Sequence, residues 1–205
     1  MLPPISSTTR ALIIANVAVF MAQSVSGEEL IYHLALWPIG SGKMLGGYFG
    51  FQPWQVVTYA FLHTGLTHLL FNMFALYMFG SDLERLWGTR RFINLYFASV
   101  VAAALVQLGF AAVTGADPYP TAGASGGVFG VLLGFAMVFS KRRILLLIPP
   151  IPMPAWVFVT LYGVVELVLG MTGSDAGVAH FAHLGGMLGA WLMLRYWQGR
   201  APFSR

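Results

Sequence analysis

Charge is what this sequence has least of. Only 9% of its 205 residues are Asp, Glu, Lys or Arg, against 58% hydrophobic, whereas a soluble domain carries about a quarter charged residues. A globule of this length has too little interior to hide so much apolar surface. The surplus must face lipid, and a polytopic membrane protein is expected. Cysteine is absent altogether, which excludes disulfides, thiolate chemistry and cysteine zinc sites and leaves the redox compartment open. The net charge of +4 falls in short basic runs between apolar segments. That pattern orients a membrane protein and gives no reason to expect nucleic acid as a partner. No repeat, linker or low-complexity tract interrupts the chain, and its length leaves room for one domain, residues 1–205, without a sizeable soluble appendage.

Apolar runs of about 20 residues occur at roughly 8–26, 64–84, 91–114, 123–140, 145–171 and 177–197, so the expected fold class is all-α, with six transmembrane helices. The first run is the weakest, its clean core reaching only from Ala11 to Ala22 around Asn16. It can be read as a signal peptide, and an uncleaved span is the favoured reading. With the N- and C-termini cytoplasmic, Arg10, Arg85, Arg90, Arg91, Lys141, Arg142, Arg143, Arg195, Arg200 and Arg205 fall inside and only Lys43 outside. This positive-inside asymmetry supports the span count, because one span more or fewer would destroy it. Glu28, Glu29, Asp117 and Asp175 then occupy outer loops. The first loop, roughly 27–63, carries Trp37, Tyr48, Phe49, Phe51 and Trp54 among turn signals such as Gly46-Gly47, which suits a segment in the headgroup zone. The proline run from Pro149 to Pro154 reads as a bent entry to the fifth span.

Against that topology, four polar residues share one depth. Span two runs inward from about Thr64, with His68 one turn in and Asn72 two, at i and i+4 on one face. Ser125 lies in the first turn of span four, and His183 one to two turns into span six. All four belong to the outer half of the membrane, where each needs a partner or a wet pocket. Gly126, Gly130 and Gly134, with Gly185, Gly186, Gly189 and Ala190 on span six, form small-residue stripes that let spans four and six pack closely, Ser125 facing His183. A hydroxyl beside an imidazole is a nucleophile with its base. The Ser125 backbone N–H near a helix N-terminus, with the side chains of His68 and Asn72, can supply oxyanion donors. No carboxylate is visible as a third member, so a Ser-His dyad is expected, with Phe129 one turn after Ser125 either packing against His183 or serving as a plain core aromatic.

The motifs Gly123-Ala124-Ser125-Gly126, Ala182-His183-Leu184-Gly185-Gly186 and His68-Leu69-Leu70-Phe71-Asn72 resemble the signature set of the rhomboid intramembrane serine proteases. The resemblance covers essentially the whole chain, including six spans, the long first loop and Leu83-Glu84-Arg85. It implies Ser125 as nucleophile, His183 as base, and His68 and Asn72 as oxyanion donors. It further implies cleavage of transmembrane protein substrates near their outer ends, within the lipid bilayer, without metal or cofactor. A multi-pass protein of the cell membrane is expected, of a bacterial inner membrane by its compactness, with the site facing the extracytoplasmic side. Two departures stand out: Trp54-Gln55 where family members often have Trp-Arg, and Phe129 where some have tyrosine.

Other polar residues receive plainer readings. His63 marks the wet start of span two, His180 either lines the pocket mouth or, the preferred reading, faces the outer interface, and Glu84 with Arg85 forms a cytoplasmic anchor. Glu166, near the outer end of span five, can snorkel, be protonated or line a substrate gate. The rival functions are a catalytically silent protein that binds transmembrane segments, a transporter using intramembrane histidines, and a metalloprotease. Scarce intramembrane charge and the absence of an inverted repeat speak against the transporter. The metalloprotease lacks a His-Glu-x-x-His motif.

Overall fold

The computed structural model describes residues 4–44, 50–115, 119–145, 150–173 and 179–199. Gly46-Gly47, Tyr48, Phe49, Asp117, Asp175, Arg200 and Arg205 lie outside them, as does the side chain of Lys43. The elements in order are α1 (Ser7–Ser26), three short helices α2 (Glu29–Leu34), α3 (Ser41–Met44) and α4 (Gln55–Thr58), then α5 (Leu66–Ala75), which runs through a π-helical turn into α6 (Ser81–Thr114). After these come α7 (Ser125–Val138), a two-stranded hairpin β1 (Arg143–Leu145) and β2 (Pro152–Pro154), α8 (Ala155–Thr172) and α9 (His180–Trp197). Three stretches, Ser7–Ser26, Leu66–Thr114 and Ala155–Thr172, are long and apolar enough to cross a membrane.

The stretch from Leu66 to Thr114 is not one rod. Gly88 adopts φ 77° and ψ 164°, a left-handed conformation that glycine tolerates without a Cβ clash. Beyond it the chain doubles back. The side chains of Leu83 and Leu95 both reach Gly134, and Leu76 and Phe92 both reach Gly80, whereas 12 residues of straight helix would separate Leu83 from Leu95 by about 18 Å. Sequence runs 64–84 and 91–114 are therefore antiparallel neighbours.

The remaining directions follow from paired contacts. Gly126, Gly130 and Gly134 of α7 meet Ala103, Ser99 and Leu95 of α6, the descending numbers marking antiparallel packing. Gly185 and Gly189 of α9 meet Ala103 and Ser99 in the same sense. On α8, Gly163 meets Met187 and Gly170 meets Phe181, again antiparallel to α9. At one end of α1 Thr8 and Thr9 contact Glu84, while at the other Gln23 bonds His63. Among the described residues, six helical rods thus alternate in direction, with α7 and α9 parallel. The glycine stripe of α7 packs on α6 as well as α9, a wider use than span four meeting span six alone.

The end bearing Glu84 is tied by polar contacts. Glu84 is buried and accepts from the backbone N–H groups of Thr8 and Thr9 at 2.9 and 2.8 Å and from the Thr9 hydroxyl at 2.8 Å. It satisfies donors that the first turn of α1 leaves without partners. It is therefore a buried cap for another helix. Asp82 pairs with Arg85 and Arg142, and Arg91 stacks over Trp197.

The fifth apolar run begins as helix at Ala155, ten residues later than expected. Arg143 pairs with Pro154 and Leu145 with Pro152 across the hairpin, so the fold is not purely α. Prolines lack the N–H that a helix interior requires, which confines helix to the residues after Pro154. In the first loop Trp54 is exposed. Trp37 is buried. Gln55 is wholly buried and accepts from the backbone N–H groups of Trp37 and Gln52 at 3.2 and 3.1 Å while donating to the Gly50 carbonyl at 3.3 Å. The residue at the Trp-Gln departure thus organises the loop.

A Cβ at Gly186 would lie 2.0 Å from the Gly126 carbonyl oxygen, whereas one at Gly163 would meet only Met187 side-chain atoms at 3.6 and 3.8 Å. Gly186→Ala is expected to destabilise by about 1–3 kcal/mol or more through overpacking. Gly163→Ala is expected to be neutral or stabilising by up to about 1 kcal/mol. Denaturant unfolding of the two variants in detergent checks the contrast.

Candidate active site

Residues 121–125 are clamped before α7 begins. Leu36 and Thr121 exchange two backbone hydrogen bonds at 2.9 Å, and the Gly123 N–H donates to the Tyr59 carbonyl at 3.0 Å. The Tyr59 hydroxyl donates to the Val100 carbonyl at 2.8 Å. Loop one and α6 therefore fix where Ser125 enters its helix. Gly123 has φ 139°, and a Cβ there would lie 2.7 Å from His68 Cε1 and 3.5 Å from Ser125 Oγ. The missing side chain leaves room for the His68 ring beside the serine.

Across from it, His183 Nε2 lies 2.8 Å from Ser125 Oγ. The Gly126–Gly186 approach makes this possible, since it holds the first turn of α7 against the second turn of α9 at backbone contact. The Phe129 ring stacks on the imidazole with centroids 4.2 Å apart and planes inclined by 5°. Phe129 also stacks on Tyr162 of α8 at 5.2 Å. The aromatic expected to pack on His183 does so.

His68 and Asn72 are placed differently from one another. His68 Nδ1 is 3.1 Å from the Thr64 hydroxyl, and its Cε1–Nε2 edge lies against Gly123, two residues before Ser125. Asn72 is buried, with Nδ2 donating to the His68 carbonyl at 2.9 Å. One of its amide donors is thus engaged within its own helix. His63 is not at a wet helix start. It is 2% exposed and packs edge-on against His68 at 5.1 Å, with no protein partner for either ring nitrogen among the described residues.

Glu166 is the residue that sequence reasoning left without a place. It is 6% exposed, and its Oε2 lies 2.8 Å from His183 Nδ1 and 2.7 Å from His180 Nδ1. It is too buried to snorkel. His180, expected at the outer interface, is buried as well. The available signal was the pairing of α8 with α9: in antiparallel packing Gly163 and Gly170 flank Glu166 as Met187 and Phe181 flank His183. That register is invisible until the helices are docked.

Glu166, His180 and His183 offer donor atoms within 4.8 Å of one another, a set with the chemistry to hold a metal ion. Tetrahedral zinc bonds of about 2.0 Å would place ligand atoms about 3.3 Å apart. The observed N···O separations of 2.8 and 2.7 Å are hydrogen-bond lengths.

A family model described as the rhomboid domain matches residues 50–198. Rhomboid protease GluP of Bacillus subtilis (strain 168) is 29% identical over 136 residues, 66% of this chain and 24% of that protein. Rhomboid protein 1, mitochondrial, of Saccharomyces cerevisiae is 36% identical over 139 residues, 65% of this chain and 39% of that protein. Rhomboid protease GlpG of Yersinia pestis (strain Pestoides F) is 25% identical over 195 residues, 94% of this chain and 63% of that protein. The chain therefore spans less than two thirds of the length of each of these relatives.

Because Gly123 sits at positive φ under the His68 ring, Gly123→Ala is expected to cost about 1–2 kcal/mol from backbone strain alone. Thermal unfolding in detergent checks it. An unchanged midpoint would show that the clamp around residue 123 yields freely.

Proposed function

The chain belongs to the rhomboid family, and on that premise we propose that it is an intramembrane serine endopeptidase acting through Ser125 and His183. The observation that carries the reading is the 2.8 Å contact between Ser125 Oγ and His183 Nε2. In the proposed reaction the Ser125 hydroxyl donates its proton to His183 Nε2 as Oγ attacks a peptide carbonyl carbon. The C–N bond then breaks, and the leaving amine takes that proton. Water, deprotonated by the same nitrogen, releases the acyl group and restores the serine.

The oxyanion is assigned to the Ser125 backbone N–H, in a helix first turn whose N–H groups lack intrahelical acceptors, with His68 and Asn72 as side-chain donors. His68 is the better supported of the two, since its ring edge lies against Gly123, two residues before Ser125. Asn72 would use the amide hydrogen not given to the His68 carbonyl.

The setting is proposed as a lipid bilayer, crossed by six spans with both termini cytoplasmic and the site toward the extracytoplasmic side. Large apolar side chains left uncovered on outer faces support it, among them Ile14 and Met21 of α1 and Val164, Val168 and Met171 of α8. The basic residues Arg91 and Arg142 sit at the end where Glu84 caps α1, and the serine lies toward the other. Substrates would be transmembrane segments of other proteins, cut near their outer ends.

A fluorophosphonate probe applied to detergent-solubilised protein tests the assignment. Wild type is expected to label, while Ser125→Ala and His183→Ala are not. Equal labelling of Ser125→Ala would remove the nucleophile, and an unlabelled wild type would favour a silent binding protein. Loss of one oxyanion donor in His68→Ala is expected to lower turnover by about 10²-fold, read as the rate of cleavage of a reconstituted transmembrane substrate.

A further inference from the structure

We propose that Glu166 is a positioning residue for His183, the third member of a buried Ser125–His183–Glu166 chain, with His180 holding the carboxylate from its other side. The inference rests on the reading of Ser125 and His183 given above and adds to it a carboxylate from a different helix. Glu166 Oε2 lies between two imidazole nitrogens, 2.7 Å from His180 Nδ1 and 2.8 Å from His183 Nδ1. One carboxyl oxygen carries at most one proton, so it cannot donate to both nitrogens. At least one imidazole must donate to it. With His183 Nε2 facing the Ser125 hydroxyl, the single proton of a neutral ring belongs on Nδ1, pointing at Glu166.

Three consequences follow from that arrangement. The bond to Glu166 selects the one tautomer whose bare nitrogen can accept from serine. When His183 Nε2 gains the serine proton, the new positive charge lies against a buried carboxylate, where little water screens the attraction. The Nδ1 proton stays on His183 throughout, and Glu166 only accepts a hydrogen bond. His180 restrains the carboxylate against swinging away, and Phe129, stacked on the ring face at 4.2 Å, limits rotation of His183 out of the line. A packing role alone would not require a carboxylate, since an apolar side chain would fill the site without the cost of burying charge.

The test uses the full chain in detergent. The rate constant for phosphonylation of Ser125 by a fluorophosphonate is separated from the probe's binding constant by varying probe concentration. In that step the Oγ–P bond forms, fluoride leaves, and the serine proton passes to His183 Nε2. Glu166→Gln keeps the side-chain volume and removes the charge. It is expected to lower the phosphonylation rate constant by about 10²–10⁴-fold with the binding constant within twofold of wild type. A rate constant within threefold of wild type, in a variant that still unfolds cooperatively, overturns the proposal. Should Glu166→Gln not fold, nitrogen-15 spectra of histidine-labelled wild type decide it, with the His183 signals assigned by their loss in His183→Ala. A protonated Nδ1 and bare Nε2 on His183 are expected, and the opposite tautomer overturns the proposal. Absence of Ser125-dependent phosphonylation in wild type would overturn the nucleophile assignment, and the tautomer would still report on Glu166 separately.

Discussion

The contact between the backbones of Gly126 and Gly186 governs this molecule. Any side chain at Gly186 would overlap the Gly126 carbonyl, and one at Gly130 would overlap Ser99. Bare backbone at these points lets α7 and α9 run in parallel at contact distance, with α6 antiparallel across both. Van der Waals packing of small residues, which needs no hydrophobic driving force between helices, holds such a trio together in lipid. Ser125 and His183 each lie a residue or a few from this contact, so their approach is a direct result of helix packing.

Two further devices fix the ends. Glu84, carried by α6, satisfies the first N–H groups of α1 and keeps that outer rod in register. At the other end loop one is drawn inward by Gln55, the Leu36–Thr121 pairing and the Tyr59–Gly123 bond. A buried glutamine with both side-chain polar atoms engaged does locally what a charged residue would do only with a counter-ion. The segment before Ser125 is therefore held by loop one rather than left as a free connection.

On the far side of His183, α8 brings an aromatic and a carboxylate. Tyr162 extends the ring stack over Phe129, and Glu166 reaches both histidines of α9. The outer face of α8 is mostly uncovered apolar surface. Its inner face nonetheless carries a buried acid, which is tolerated because it is hydrogen-bonded to the Nδ1 atoms of two imidazoles. A helix with little burial can thus hold a polar group that bears on the reaction site.

Much of this was legible from residue order alone. Apolar run lengths, the bias of basic residues and the shared depth of Ser125, His183, His68 and Asn72 depend on composition and local period. Those fix which segments are helical and which residues sit level with one another. The start of α8 at Ala155 was missed because a hairpin forms across the proline run, and the cap at Glu84 because it joins residues some 75 positions apart. Glu166 was the largest gap. Its depth could be counted along the helix, but the rotation of α8 about its own axis decides whether an acid faces lipid, water or an imidazole. Helical periodicity sets the spacing along each rod, whereas only the docking of rods sets which faces meet. The pairing of hydroxyl and imidazole could therefore be expected from sequence, while the carboxylate behind the imidazole became visible only in the packed bundle.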